Sequence, residues 1–315
     1  MNTNEVKKVE NFGFNASYQS NPSLIQLAND KKLCMEGSIA DCVFPRVTMP
    51  SCMIKYVDFT NANYEPVNDF FGDKSQIHEV GFKQHEYKIV QAYGHALEHV
   101  WGACDLGTID APCSEVPANY AEYQTEYLTE LVLLNREVRV ANIINNTSTY
   151  DASLVTNLSG AITGGGSVID LITDVSQGTG CKRYRQAAMT RNVFNKLRKH
   201  PEALQDANAL GLGTEAQVAA MLDVGSICIA DICTVKNGVE TPVYSDFLLF
   251  FNSPTQTPGM CVKPAFGFSG SWRGFQVRTK FDQDLGLFGA ERVQAGEYIR
   301  EVVMGNKFAH YFYNL

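Results

Sequence analysis

A chain of 315 residues with 45% hydrophobic side chains can bury a substantial core, which excludes an intrinsically disordered protein; the length suits two ordinary domains or one two-lobed fold. A formal net charge of −8 at pH 7 excludes a chain that binds nucleic acid by overall phosphate neutralisation. Charged residues make up 19%, below the usual quarter, as on a surface partly covered by other subunits.

The cysteines Cys34, Cys42, Cys52, Cys104, Cys113, Cys181, Cys228, Cys233 and Cys261 form no C-x-x-C pair and are odd in number. In a chain this long they read as reduced, mostly buried thiols from an intracellular folding compartment. The opening MNTNEVKKVENFGFN lacks the apolar core of a secretory signal, and no run approaches the roughly 20 apolar residues of a membrane span. A soluble protein is expected.

Residues 1–50 show little periodicity, end in Pro45 and Pro50, and read as an arm that lies on something else. Residues 52–59 and 77–83 favour strand, and the stretch between them is turn-rich and polar. Both mix apolar and charged residues on both faces, whereas a strand packed on one core alternates. The pair therefore reads as a projecting ribbon. An isolated two-stranded ribbon is marginal in water, so its apolar residues are candidate contacts with a neighbouring molecule: Ile54, Tyr56 and Phe82 on the strands, and Tyr64, Phe70 and Phe71 in the tip at 61–73.

Residues 87–101 read as extended at first. The clearest periodicity follows, with Tyr120, Tyr123, Tyr127, Leu131, Leu134, Val138, Ala141 and Ile144 spaced by three and four. Glu122, Thr125, Thr129, Arg136 and Arg139 fall opposite, and Pro117 suits a first helical turn. The spacing predicts an amphipathic helix over about 117–146, some 40 Å long at about 1.5 Å per residue. Leu134 is expected to face the core and Thr129 the outside.

Past Thr147 the chain changes character. Residues 164–166 are three glycines, and 168–175 is a short helix or strand. Thr190 is placed to cap a helix over 191–199, which Pro201 follows, and Thr214 with Gln217 forms a capping-box pattern for a helix through Leu222. Residues 226–230, 232–236 and 246–251 read as strands, with Asn237-Gly238 as a hairpin turn. The tail over 276–315 reads as further strands. No internal repeat is present.

Several motifs invite chemistry. His95, Glu98 and His99 spell H-x-x-E-H, which on a helix would let both histidines hold zinc while Glu98 served as base. Here the motif follows an extended stretch, is preceded by Gly94 and runs into Trp101-Gly102, so packing histidines are expected and no metal is assigned. The triple glycine lacks the Lys-Ser/Thr of a phosphate loop, and no G-x-S-x-G elbow occurs. Nothing places Cys104 or Cys113 in an activating environment beside a histidine. The basic run over 181–200 reads as a solvated helix face before it reads as an anion or DNA contact. No catalytic residue and no cofactor follow from these patterns.

The order of elements is arm, ribbon, strand, very long helix, then a mixed α/β half ending in strands. It resembles the Hong Kong 97-type capsid fold shared by tailed-phage major capsid proteins and encapsulins. The resemblance is strongest over 87–150, where Leu133, Leu134, Arg136, Glu137, Arg139, Val140 and Ala141 are similar to an l-l-x-R-E-x-R-V-A signature on the long helix of one branch of phage capsid proteins. Leu158-Ser159-Gly160 and the LRKHPEAL run at 197–204 are also similar, and weaker likeness covers most of the chain after about residue 45.

The resemblance implies an α+β fold with an N-terminal arm (1–45), an extended loop (46–86), a peripheral domain with the spine helix (87–160 and 286–315) and an axial α/β domain (161–285). It implies a structural shell protein, not an enzyme, that assembles as hexamers and pentamers into an icosahedral head around double-stranded DNA. Its partners would be its own copies, a separate scaffolding protein (no fused scaffold precedes the arm), a portal and a decoration protein. The packaged DNA would be touched non-specifically, and no membrane is involved. The protein would reside in the virion after assembly in the host bacterial cytoplasm. A shell around cargo enzymes shares the fold, and a zinc hydrolase using H-x-x-E-H is the reading from another class.

Overall fold

The computed structural model describes residues 19–33, 37–58, 86–102, 120–158, 184–199, 214–254, 265–285 and 289–314. In chain order its strands are β1 (Gln19–Ser20), β2 (Arg46–Met49), β3 (Met53–Asp58), β4 (Glu86–Gln91), β5 (Tyr93–Gly102), β6 (Val155–Asn157), β7 (Gln186–Thr190), β8 (Ser226–Ala230), β9 (Cys233–Lys236), β10 (Val239–Pro242), β11 (Phe247–Phe251), β12 (Gly267–Asp282), β13 (Ala290–Val303) and β14 (Ala309–Tyr313). The helices are α1 (Pro22–Leu33), α2 (Ala40–Val43), α3 (Tyr120–Ile144), α4 (Arg191–Leu197) and α5 (Glu215–Met221).

Local chemistry explains many of these boundaries. The Thr190 hydroxyl accepts from the Val193 amide at the start of α4, and Thr214 with Gln217 closes a reciprocal capping box on α5. Asn237 and Gly238 both adopt positive φ, which a tight hairpin turn between β9 and β10 requires. β11 reads FLLFF with every residue buried, as befits a strand covered on both faces. It lies between β14 and β7 in a sheet ordered β6-β14-β11-β7-β8. A second sheet is ordered β1-β12-β13-β5, with β2 parallel to β12. β3 pairs with β4, and β9 with β10, as two separate two-stranded ribbons.

The chain divides into two compact units. One comprises Met1–Met35, Gly94–Asn135 and Arg273–Tyr298; the other comprises Glu36–Tyr93, Arg136–Trp272 and Ile299–Leu315. The first is centred on Leu24, Ala28, Trp101, Leu128, Val132, Phe275, Val277, Val293 and Ala295. The second holds a larger core in which Phe44, Tyr150, Phe247, Phe266 and Tyr311 pack with Val140 and Ile144. A further cluster packs Tyr184, Met189, Phe194, Leu248, Phe250 and Phe312. Gly267 makes room for this core, since a Cβ there would lie 2.4 Å from the Phe44 ring.

The structure differs from expectation at several points. The opening region is more ordered than its lack of periodicity suggests: α1 buries Leu24 and Ala28, and Ile39, Ala40, Val43 and Phe44 are among the most buried residues of the second core. β3 pairs with β4, and residues 77–83, expected beside it, lie outside the described residues. The tail is split, because β13 joins the sheet of β12 and β5 while β14 pairs with β11 and β6. Finally, Cys42 and Cys228 form a disulfide, Cys52 is half-buried and Cys233 is exposed, so the cysteines are not uniformly buried thiols. The long helix runs where periodicity predicts it, but in another register. Leu131, Leu134 and Val138 are half-buried, whereas Thr125, Thr129, Arg136 and Glu137 are buried.

Candidate inter-subunit surfaces

Arg136, Glu137 and Arg139 of the long-helix signature have a structural task, and it lies within the second unit. Glu137 is buried, and among the described residues its hydrogen-bond donors are uncharged. Its carboxylate accepts from the Ser38 hydroxyl, from the Ile39 and Ala40 amides at the start of α2 (3.4 and 3.0 Å), and from the Tyr244 hydroxyl at 2.5 Å. Donors of this kind satisfy a buried carboxylate in place of water. Burial first, and then the Glu137 charge, pushes the Tyr244 phenol far above its ordinary pKa of 10.0; it remains a donor.

Arg136 is 2% exposed. It donates to Asp41 (2.8 Å), to the Phe44 carbonyl (3.2 Å) and to the Ser269 hydroxyl (3.1 Å), with Glu301 3.6 Å from its Nε. Arg139 also meets Glu301, at 3.1 Å. One turn of α3 thereby fixes residues 38–44, β12 and β13. The signature is a folding device.

The β3–β4 ribbon has two unlike faces. Register pairs Ile54 with Val90 and Tyr56 with Lys88, and this face packs on Met49, Phe268, Met304 and Phe308. Ile54 and Tyr56, expected as contacts with a neighbour, therefore face the subunit's own core; burial, and secondarily the Asp58 carboxylate, raises the Tyr56 pKa. The opposite face pairs Met53 with Gln91, Lys55 with Ile89 and Val57 with Tyr87. Met53, Tyr87 and Ile89 are 52%, 63% and 65% exposed. Beside them a groove of about 430 Å³ is walled by Met53, Ile89, Tyr93 and Arg300, with the guanidinium 5.1 Å from the Tyr93 ring centroid.

Tyr64, Phe70, Phe71 and Phe82 lie outside the described residues. The outward apolar residues are not among the expected contacts, because residues 87–101 read as an extended stretch apart from the ribbon. The signal was present: Tyr87, Ile89 and Gln91 alternate with Lys88, Val90 and Ala92. Two other exposed apolar sets stand out. The β9–β10 hairpin exposes Val235 and Val239, which register places on opposite faces. In the first unit, α3 exposes Tyr123 and Tyr127.

The zinc pattern is not assembled. His95, Glu98 and His99 lie on strand β5, where positions four apart are separated by about 13 Å. His99 lies 3.2 Å from the Tyr120 hydroxyl and stacks on Trp101; Glu98 accepts from Arg292 and Gln294. Among the described residues no group of three metal-ligating side chains occurs, and no helix is long and apolar enough to cross a membrane. Of the basic run, Arg191 pairs with Asp231 and Lys196 with Asp246.

No protein-family model matches the chain. It is similar to the major capsid protein of Pseudomonas phage JBD67, with 25% identity over 297 residues, covering 88% of this chain and 91% of that one. Among solved structures it is similar to a phage-related protein from Bordetella bronchiseptica RB50, with a TM-score of 0.71 and 13% identity over 95% of this chain and 98% of that one. A virus-like particle from Pyrococcus furiosus gives 0.54 and 12% over 92% and 98%. The capsid of an empty GTA particle gives 0.55 and 10% over 88% and 90%. The fold is the α+β fold of Hong Kong 97-type capsid subunits. The comparisons thus give a capsid-subunit fold, and a likeness in sequence to a phage major capsid protein over most of the chain.

Proposed function

We propose that this subunit assembles as hexamers and pentamers into a closed icosahedral head around a phage double-stranded DNA genome, and that it carries no enzymatic activity. The observation that carries this reading is the pairing of a capsid fold with a ribbon whose outward face, Met53, Tyr87 and Ile89, is left uncovered by its own subunit. In this reading residues 46–86 form an extended loop that reaches a neighbour through Tyr64, Phe70, Phe71 and Phe82. Residues 87–160 with 286–315 form the peripheral domain around the spine helix, residues 161–285 form the axial domain, and residues 1–45 act as the arm. Assembly takes place in the host bacterial cytoplasm with a separate scaffolding protein, a portal and a decoration protein, and the DNA is touched non-specifically.

Sedimentation and negative-stain microscopy of material from infected cells test this directly: shells of megadalton size are expected, and a monomer or dimer as the sole native form would overturn it. Replacing residues 61–73 by a short Gly-Ser turn should leave near-native circular dichroism while abolishing closed shells. A shell around cargo enzymes is the second reading, favoured by the likeness to the Pyrococcus furiosus virus-like particle. Extraction of the particles separates the two: genome-length DNA supports the head, and a co-purifying enzyme without DNA supports the cargo shell.

A further inference from the structure

The segment that Glu137 and Arg136 fix by hydrogen bonds is also fixed by a covalent bond. Cys42, in α2, is bonded to Cys228, on β8, across a sequence separation of 186 residues. Both are half-buried and pack against the second unit's main core. We propose that this bond is an oxidative staple, closed only after the assembled particle has left the reducing compartment in which the subunit folds. The proposal rests on the shell reading above.

Three observations lead to it. A bacterial cytoplasm keeps protein thiols reduced, so the subunit must fold without the bond. It is equipped to do so, because the hydrogen bonds of Ser38, Ile39, Ala40, Asp41 and Phe44 to one turn of α3 already hold α2 in place. With Cα atoms 6.7 Å apart, within the range a disulfide spans, the sulfurs are brought together by the fold itself. Half-burial leaves a route for a small oxidant. Because the bond closes a long loop, it removes much freedom from the unfolded chain. It therefore does most for a particle that must persist without repair. Cys52 and Cys233 remain free thiols, so the pairing is selective.

The chemistry balances with a low-molecular-weight disulfide as oxidant. One cysteine thiolate attacks it, forming a mixed disulfide and expelling one small thiolate. The second cysteine thiolate then displaces the other. Two electrons pass from the protein to the small disulfide, which leaves as two thiols carrying the two protons.

Infected cells lysed in iodoacetamide and released virions treated with iodoacetamide should differ by peptide mass spectrometry: Cys42 and Cys228 alkylated in the first, joined in the second. Cys42→Ser with Cys228→Ser should give particles at wild-type yield that melt about 5 °C or more below wild type. A reductant should lower the wild-type value to match and leave the variant unchanged. A bond already closed at lysis overturns the proposal, as does a bond absent from virions, or a melting temperature that neither change moves. If the variant gives no particles, wild-type virions with and without reductant decide. Absence of particles from wild-type cells would sink the shell reading instead. The same alkylation, read on soluble subunit before and after exposure to glutathione disulfide, then decides the staple alone.

Discussion

Two stripes of side chains run along α3, and their chemistry is the reverse of what their positions suggest. The buried stripe contains Gln124, Thr125, Thr129, Arg136 and Glu137 among its aliphatic residues; the outward one presents Tyr123 and Tyr127, about half exposed, with Leu131 and Leu134 half-buried below them. The buried polar groups are tolerated because the fold supplies partners. The Thr125 and Thr129 hydroxyls donate to the carbonyls of Ala121 and Thr125, one turn back, at 2.7 and 2.6 Å, and Arg136 and Glu137 have the network described above. The aromatic stripe has no such cover. On the shell reading, an apolar stripe marks surface to be covered by something, which need not be the subunit's own core.

The comparison breaks most visibly at Arg136. Arg136→Leu keeps the stripe filled but takes one donor each from Asp41, the Phe44 carbonyl and Ser269, and leaves the buried Glu301 carboxylate with Arg139 alone. Stripping one partner from a buried ion pair costs about 3–5 kcal/mol, so the urea midpoint should collapse and the protein should become largely insoluble. Retention of wild-type stability would mean that the network is ornamental. A buried polar group without an opposite charge offers a contrast. His310, on β14, lies 2.9 Å from the Thr156 hydroxyl and stacks on Phe312. Burial lowers its pKa from 6.5 to about 4. Between those values the unfolded chain binds a proton that the folded chain refuses. Stability from this group therefore falls as pH drops through 6.5, levels off below about 4, and changes by on the order of 3 kcal/mol in all. His310→Gln should flatten that part of the pH–stability curve, and an unchanged slope would show that His310 is not its source.

Thr129 gives a smaller effect and a sharper test of register. An outward threonine changed to alanine would be nearly silent; a fully buried one should cost about 1 kcal/mol through lost packing and hydrogen bonding. Urea unfolding of Thr129→Ala distinguishes the two positions.

The parts legible in the sequence are those decided by neighbouring residues. Thr190, Thr214 with Gln217, and Asn237-Gly238 act on backbone groups within a few positions of themselves, and each did what its local chemistry dictates. The existence and length of α3 were equally local. Its register was not, because a periodicity of apolar residues cannot show that a threonine will back-bond or that an arginine will find Asp41 and Ser269, 95 and 133 positions away. Distance along the chain also hid the burial of residues 38–44 and the Cys42–Cys228 bond. At the candidate interface, Ile54 and Tyr56 were chosen because they are apolar, yet which face of β3 packs inward depends on a partner strand 28 or more positions further on.

The smallest effect on the subunit is expected at Tyr123 and Tyr127, and there the comparison is tested from its other side. Both rings are about half exposed in the isolated chain, so Tyr123→Ser with Tyr127→Ser removes little buried area and breaks none of the hydrogen bonds described for this helix. Surface changes of that kind usually stay within about 0.5 kcal/mol, and the urea midpoint should barely move. Aromatic side chains nevertheless supply much of the energy of protein interfaces, so a stripe covered by a neighbour should reveal itself only on assembly. Sedimentation of the double variant should show fewer closed shells and more free subunits or capsomers, with unchanged circular dichroism. A large loss of subunit stability would place the tyrosines in the core after all. Normal shells from a normally stable variant would show that this stripe faces solvent, and that contacts such as Met53, Tyr87 and Ile89 carry the lattice without it.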